Sequence, residues 1–315
     1  MTIANPLNGF VNKRPQDQYR GRFAPSPSGP LHFGSLIAAL ASYCQAKHAN
    51  GQWLVRIEDI DPPREQPGAD KSILNTLETF GLYWDEPVLY QSQQHQLYLD
   101  TLAYLEDQGL SYGCHCTRAS IKKIGGIYQG HCRHLQLKGD NLATRLVNVH
   151  PFPEFQDKVQ GLVSQPDDLA KEDFAIFRRD GLFAYQLAVV VDDIYQGITE
   201  VVRGCDLLQP TCRQMTLYAT LNISPPQYAH VPLAITEQGY KLSKQNGAPA
   251  IDKHRPQELL HLALTFLGQR PPTALLSASV DELIHYAVTH WDLASIPSDQ
   301  EIIYPASPVS DNDNT

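Results

Sequence analysis

The sequence predicts an α/β protein built on a parallel sheet, interrupted by a small α+β insertion and followed by a helical segment. Three observations carry this. Strand and helix patterns alternate through the first hundred residues, as crossover-linked parallel strands require. From about Leu110 to Leu182 the chain turns to Cys, His, Gly and Pro with only short apolar runs, and the alternation stops. Beyond His254 the apolar residues recur at helical spacing.

Residues 1–18 are polar and aperiodic, and with 307–315 they are expected to be loose tails. The first half of the sheet domain is assigned to 19–109, the insertion to 110–184, the second half to 185–250 and the helical segment to 251–306. Arg22-Phe23-Ala24 is short and extended, and Pro25-Ser26-Pro27-Ser28-Gly29-Pro30 cannot be regular. The helix that follows buries Leu36, Ile37, Leu40, Ala41 and Cys44 on one face. Gln52 to Asp59 alternates Trp53, Val55 and Ile57 against Leu54, Arg56 and Glu58, which predicts a strand presenting acidic groups at its end. Helices follow at about 68–80 and 93–108, closed by Gly81 and Gly109. The apolar run Tyr185 to Val191 predicts a strand buried on both faces. In the last segment Leu259, Leu262, Ala263, Phe266 and Leu267 form one helical stripe, and Ser279 with Glu282 forms a capping box.

With 315 residues, 42% hydrophobic and 19% charged, the chain falls in the globular range and is long enough for about two domains. A formal charge of −9 excludes indiscriminate nucleic-acid binding through a global positive field; a local basic face stays open. No stretch is apolar enough to span a bilayer and the first twenty residues lack a signal core, so a cytoplasmic protein with no membrane or DNA partner is expected. Six cysteines without secretory context point to thiols or metal ligands. Cys44, Cys205 and Cys212 read as small core residues.

A strand leading through a Pro/Gly turn into a helix aims backbone N–H groups and the positive helix end at a phosphate site. His32 and Gly34 sit in the first turn of that helix, where an imidazole can donate to a phosphate and a missing side chain admits a flat base. Taken alone, Lys241-Leu242-Ser243-Lys244-Gln245, between the turns Gln238-Gly239 and Asn246-Gly247, reads as a solvated surface loop.

Taken together, these two segments resemble the paired signatures of class I aminoacyl-tRNA synthetases. His32-Phe33-Gly34-Ser35 corresponds to the HIGH motif and Lys241 to Gln245 to the KMSKS motif, with Gln245 in place of the last serine and the second HIGH histidine absent. Arg22 to Gly29, Arg56-Ile57-Glu58-Asp59-Ile60-Asp61 with Arg64, Val191-Asp192-Asp193 and Val202 to Leu208 narrow the resemblance to the glutamyl branch. It covers about residues 20–265. The resemblance implies a Rossmann-type ATP-binding catalytic domain. It also implies Arg22, Phe23, Ala24, Pro25, Ser26, Glu58, Tyr185 and Arg203 around L-glutamate, with Glu58 on the α-amino group. His32, Gly34, Ser35 and Lys244 would lie at ATP and its Mg²⁺, with His32, Lys244 and Lys241 as the catalytic groups. Arg suits the carboxylates because its planar fork binds them bidentately. Asp59, Asp61 and Arg64 read as a structural charge network.

The chain ends soon after its catalytic core, which predicts no anticodon-binding domain and resembles the glutamyl-Q branch, whose members attach glutamate to queuosine in the anticodon of tRNA-Asp. Glutamyl-adenylate formation is then expected to proceed without tRNA. Two other readings stand beside this one: a short synthetase charging the 3′ end of tRNA-Glu or tRNA-Gln, and a catalytically silent synthetase-like regulator.

Cys114, Cys116 and Cys132 can fill three corners of a tetrahedral Zn²⁺ site. By proximity the fourth ligand is His115, His131, His134 or Tyr128, and spacing alone favours a histidine; the family resemblance implies Tyr128, in a Cys-x-Cys…Tyr-x-x-x-Cys pattern. The zinc reads as structural, since an insertion poor in apolar residues gains folding free energy from ligation.

Overall fold

The computed structural model describes residues 3–11, 18–240 and 249–304. The chain enters through a short helix, α1 (Asn8–Val11). Leu7 is fully buried, and the Phe10 ring meets Tyr195 edge-on at 4.9 Å. The loose-tail expectation therefore fails over 3–11, because these two apolar side chains have a core to enter.

Strand β1 (Arg20–Phe23) leads through α2 (Phe33–His48) to β2 (Gln52–Ile57), and α3 (Ala69–Thr79) leads to β3 (Leu89–Tyr90). The three strands pair in parallel. β2 is buried on both faces: Trp53, Val55 and Ile57 enter the core under α2, while Arg56 points to the opposite side. α2 is likewise buried almost all round, beyond the single face its sequence suggests. α4 (His95–Asp107) follows.

Residues 110–184, read from sequence as an insertion, contain β4 (Ser111–Cys114), α5 (Arg118–Lys123), β5 (Ala143–Leu146), the hairpin β6 (Glu154–Asp157) and β7 (Gly161–Ser164), α6 (Asp167–Ala170) and β8 (Ala175–Phe177). β4, β5 and β8 form an antiparallel sheet, so the α+β texture of this segment is present.

Tyr185 to Val191 is not a strand. It begins α7 (Tyr185–Tyr195), with Leu187 to Ile194 all buried. An apolar run enclosed on every side has no polar face to reveal its period, so helix and buried strand look alike in sequence. The sheet resumes with β9 (Glu200–Gly204), and α8 (Leu208–Thr220) crosses to β10 (Gln227–Val231), parallel to β9. β9 runs beside β1, where the Thr199 amide donates to the Arg20 carbonyl at 2.9 Å.

β11 (Leu233–Ile235), α9 (Pro256–Phe266), α10 (Val280–Thr289) and β12 (Glu301–Ile303) complete the described chain. β12 pairs in parallel with β11, a strand inside the segment expected to be helical. The α9 stripe is also rotated from expectation: Leu260, Ala263, Leu264 and Leu267 are buried, whereas Leu259, Leu262 and Phe266 are only partly so. The Ser279/Glu282 capping box is formed as expected. Two cores result. α2, α9 and α10 close over one face of the parallel sheet, while α4, α7 and α8 pack together on the side where α7 meets Arg56.

Candidate active site

A cleft of about 660 Å³ opens at the carboxyl ends of the parallel strands, where open α/β sheets bind ligands. Arg22, Phe23, Ala24, Pro25, Ser26, His32, Gly34, Ser35, Glu58, Tyr185 and Arg203 all line it, so residues distant in sequence converge. Lys241 and Lys244, with the rest of the KMSKS-type segment, lie outside the described residues.

The turn after β1 is pinned from both sides: the Glu58 amide donates to the Pro25 carbonyl (3.0 Å) and the Gln66 amide to that of Pro27 (2.9 Å). Gly29 adopts φ 135°, a conformation L side chains rarely take, and so suits the bend. His32 then caps α2, its Nδ1 accepting from the Ser35 amide at 3.2 Å. With Nδ1 an acceptor, the neutral ring carries its proton on Nε2, which makes it a donor at the helix N-terminus.

Behind the cleft lies a buried charge cluster. Arg22, on β1, holds Asp193 of α7 through Nε (3.1 Å) and Nη2 (3.3 Å), and Arg56 Nη1 reaches the same carboxylate at 2.8 Å. Burial would raise the Asp193 pKa, but Arg22 and Arg56 outweigh it and hold the carboxyl below its ordinary value. Asp192 has weaker help: its Oδ2 accepts from Gln91 and Tyr98, both at 2.7 Å, and stands 3.8 Å from Arg56 Nε. Burial pushes it up to about 7, against the pull of Arg56, Tyr98 and Gln91. Glu58 sits 3.7 Å from Arg56 Nη2, and burial raises its pKa against Arg56 and Arg22. Asp59 accepts from Ser92, while Asp61 pairs with Arg64 and Arg178, and Arg64 also lines the cleft.

Arg203 is held by residues that sequence reasoning missed. Its Nε donates to His230 Nε2 (3.0 Å) and its Nη2 to Thr211 (2.7 Å) and Gln214 (2.8 Å), while His230 Nδ1 lies 2.6 Å from Asp157 Oδ2. No local signal marks them, since Asp157 lies in the insertion and His230 on β10.

In the insertion, the thiols of Cys114, Cys116 and Cys132 lie within 4.8 Å of one another, with Cys116 and Cys132 sulfurs 3.7 Å apart. A tetrahedral ion with Zn–S bonds of about 2.3 Å needs sulfurs about 3.8 Å apart, so the three fit zinc. Tyr128 is buried and its hydroxyl accepts from the Cys132 amide at 2.7 Å, which brings it to the cluster. His115, His131 and His134 are exposed; His115 approaches Cys132 Sγ at 3.6 Å. Arg145 donates to Cys114 Sγ at 3.2 Å and stacks on the Tyr128 ring at 3.7 Å, a cation suited to a donor set of thiolates. Cys44, Cys205 and Cys212 are buried apart from this group.

The parallel sheet, the cleft at its strand ends and the helix N-terminus beneath the turn define a nucleotide-type α/β site, and the chain belongs to the tRNA synthetases class I (E and Q), whose catalytic-domain model matches residues 18–270. Among its relatives, the glutamyl-Q tRNA(Asp) synthetase of Colwellia psychrerythraea is 61% identical over 296 residues, covering 90% of this chain and 94% of the relative. That of Escherichia coli K12 is 57% identical over 289 residues, covering 91% and 94%. The fold is shared with a glutamate tRNA ligase from Elizabethkingia meningosepticum, solved in complex with its amino acid: TM-score 0.74 and 24% identity, covering 90% of this chain and 66% of the ligase. Among the described residues no helix is long and apolar enough to cross a membrane.

Proposed function

We propose that this protein activates L-glutamate with ATP, without tRNA, and transfers it to queuosine in the anticodon of tRNA-Asp. The observation that carries the reading is the identity of 57–61% to glutamyl-Q tRNA(Asp) synthetases over nine-tenths of the chain. The cleft supports it. Glutamate presents two carboxylates and one ammonium; the cleft lining includes the guanidiniums of Arg22, Arg64 and Arg203 and the carboxylates of Glu58 and Asp206, and the resemblance puts Arg22, Arg203 and Glu58 on the amino acid. With the amino acid so oriented, an α-carboxylate oxygen attacks the α-phosphorus of ATP, the bond to the β-phosphate oxygen breaks and pyrophosphate leaves. A hydroxyl of the acceptor then attacks the carbonyl carbon of the mixed anhydride, AMP departs and the hydroxyl proton is lost. Positioning and charge stabilisation dominate the first step. His32 and the α2 N-terminus meet the ATP phosphates, whose negative charge Mg²⁺ shares, and Lys244 with Lys241 meets the charge growing on pyrophosphate.

Cys114, Cys116, Cys132 and Tyr128 would hold a zinc ion, which would tie the end of β4 to the 128–132 loop. The ion supplies structure to a segment with little apolar content. Glutamate-dependent exchange of pyrophosphate into ATP tests activation, and it should appear in the absence of tRNA; exchange seen only on adding tRNA contradicts the reading. Nuclease mapping should then place transferred glutamate in the anticodon loop, not at the 3′ end.

A further inference from the structure

The groups around Arg203 form a relay that starts outside the catalytic sheet. Asp157, at the end of β6, is 1% exposed. Its Oδ1 accepts from the amides of Val159 (2.9 Å), Gln160 (2.9 Å) and His230 (3.1 Å), which fixes the carboxylate and leaves Oδ2 facing His230 Nδ1. An ionised carboxylate only accepts, so Nδ1 carries the ring proton and Nε2 is an acceptor. That acceptor faces the Nε–H of Arg203. Burial pushes His230 down to about 4 against the pull of Asp157, so the ring is neutral at physiological pH. Thr211 and Gln214 take Nη2, and the Tyr228 ring lies 5.3 Å from the guanidinium carbon. The Leu207 carbonyl also accepts from Nη2 at 3.4 Å, so four of these five contacts lie on the Nε/Nη2 edge of the planar group. Nη1 is buried with no partner in the protein, on a side chain that lines the cleft.

We propose that Asp157 and His230 are positioning residues: the carboxylate selects the imidazole tautomer that accepts from Arg203, and this turns the unpaired Nη1 edge toward a carboxylate of glutamate. The β6–β7 hairpin of the insertion thereby sets the geometry of the amino-acid pocket. The relay rests on the assignment of Arg203 to glutamate.

Asp157→Asn tests it with a near-isosteric change. The amide oxygen keeps the three backbone donors, so the NH₂ group faces Nδ1, drives the ring proton to Nε2 and sets two donors against each other at Arg203. A donor left unpaired in a buried site corresponds to a tenfold or greater loss of binding. The expected result is a KM for glutamate raised at least about tenfold in pyrophosphate exchange, with KM for ATP and kcat within about threefold. Nitrogen NMR of His230 should report the change of protonated nitrogen from Nδ1 to Nε2. His230→Gln, whose amide can donate to Asp157 and accept from Arg203, should retain most glutamate affinity, and His230→Leu should not. An unchanged KM for glutamate in Asp157→Asn, or equal losses in His230→Gln and His230→Leu, overturns the relay. Arg203→Ala with unchanged KM for glutamate overturns the pocket assignment beneath it, so the two failures are separable.

Discussion

Asp193→Asn removes one negative charge from the centre of the buried cluster and leaves the shape almost unchanged. The carboxylate is 3% exposed and bridges Arg22 (3% exposed) and Arg56 (fully buried) at 2.8–3.3 Å. Once it is neutral, two buried guanidiniums share only Glu58 and Asp192, which stand 3.7 and 3.8 Å from Arg56. Breaking a buried pair by removing one partner typically costs about 3–5 kcal/mol, because a charge is left uncompensated. Against a total of about 5–15 kcal/mol for a folded domain, that is a large share. The assay is urea denaturation at pH 7, in which the midpoint should fall with little change in slope. The sign with pH also follows. Asp193 has a folded pKa below its ordinary 3.8, so its contribution is complete above 3.8 and is lost as pH falls below it. The penalty of the variant should therefore shrink in strong acid. A loss under about 1 kcal/mol at pH 7 would refute the argument, since the arginines would then not depend on Asp193.

His32→Ala should slow adenylate formation by about 10²–10³, the usual effect of losing one donor to developing charge, measured by single-turnover pyrophosphate release. Purified protein should hold one zinc per chain by metal analysis; Cys116→Ser and Tyr128→Phe should release it to a chelator faster, and His115→Ala should not, the reverse order overturning Tyr128 as fourth ligand. Between pH 4 and 6.5 only the unfolded state protonates His230, so stability rises with pH; between 3.8 and 7 the folded state alone protonates Asp192, so stability falls. The two oppose each other, and Asp192→Asn should steepen the rise between pH 5 and 6.5 by up to about 1.4 kcal/mol per pH unit, with an unchanged slope indicating an ordinary carboxylate.

What could be read from sequence was local or motif-borne. The Ser279/Glu282 cap and the turn at Pro25 to Pro30 depend on residues within a few positions of each other and form as expected, while α2 begins at Phe33 with His32 as its N-cap, not inside the first turn. The cleft residues outside the KMSKS segment were named by the family resemblance, and they do line one cleft. What stayed hidden depends on tertiary context. Leu187 to Ile194 lost its helical period because every side is buried. Leu7 and Phe10 gave too short a pattern to stand out among polar neighbours, yet they enter a core assembled from distant helices. The Asp157–His230 contact joins residues 73 positions apart in chain segments that no motif connects. Tyr128 at the cysteine cluster came from the family pattern, since imidazole is the commoner zinc ligand by chemistry alone; Tyr128 is buried beside the cluster, and the exposed His115 lies 3.6 Å from Cys132 Sγ.

The most direct test is transfer of labelled glutamate, with ATP and Mg²⁺, to purified tRNA-Asp with and without queuosine and to tRNA-Glu in parallel. Label on queuosine-containing tRNA-Asp alone is the predicted result. Label on tRNA-Glu, or equal label on tRNA-Asp lacking queuosine, would contradict the account and identify a conventional 3′-end acceptor.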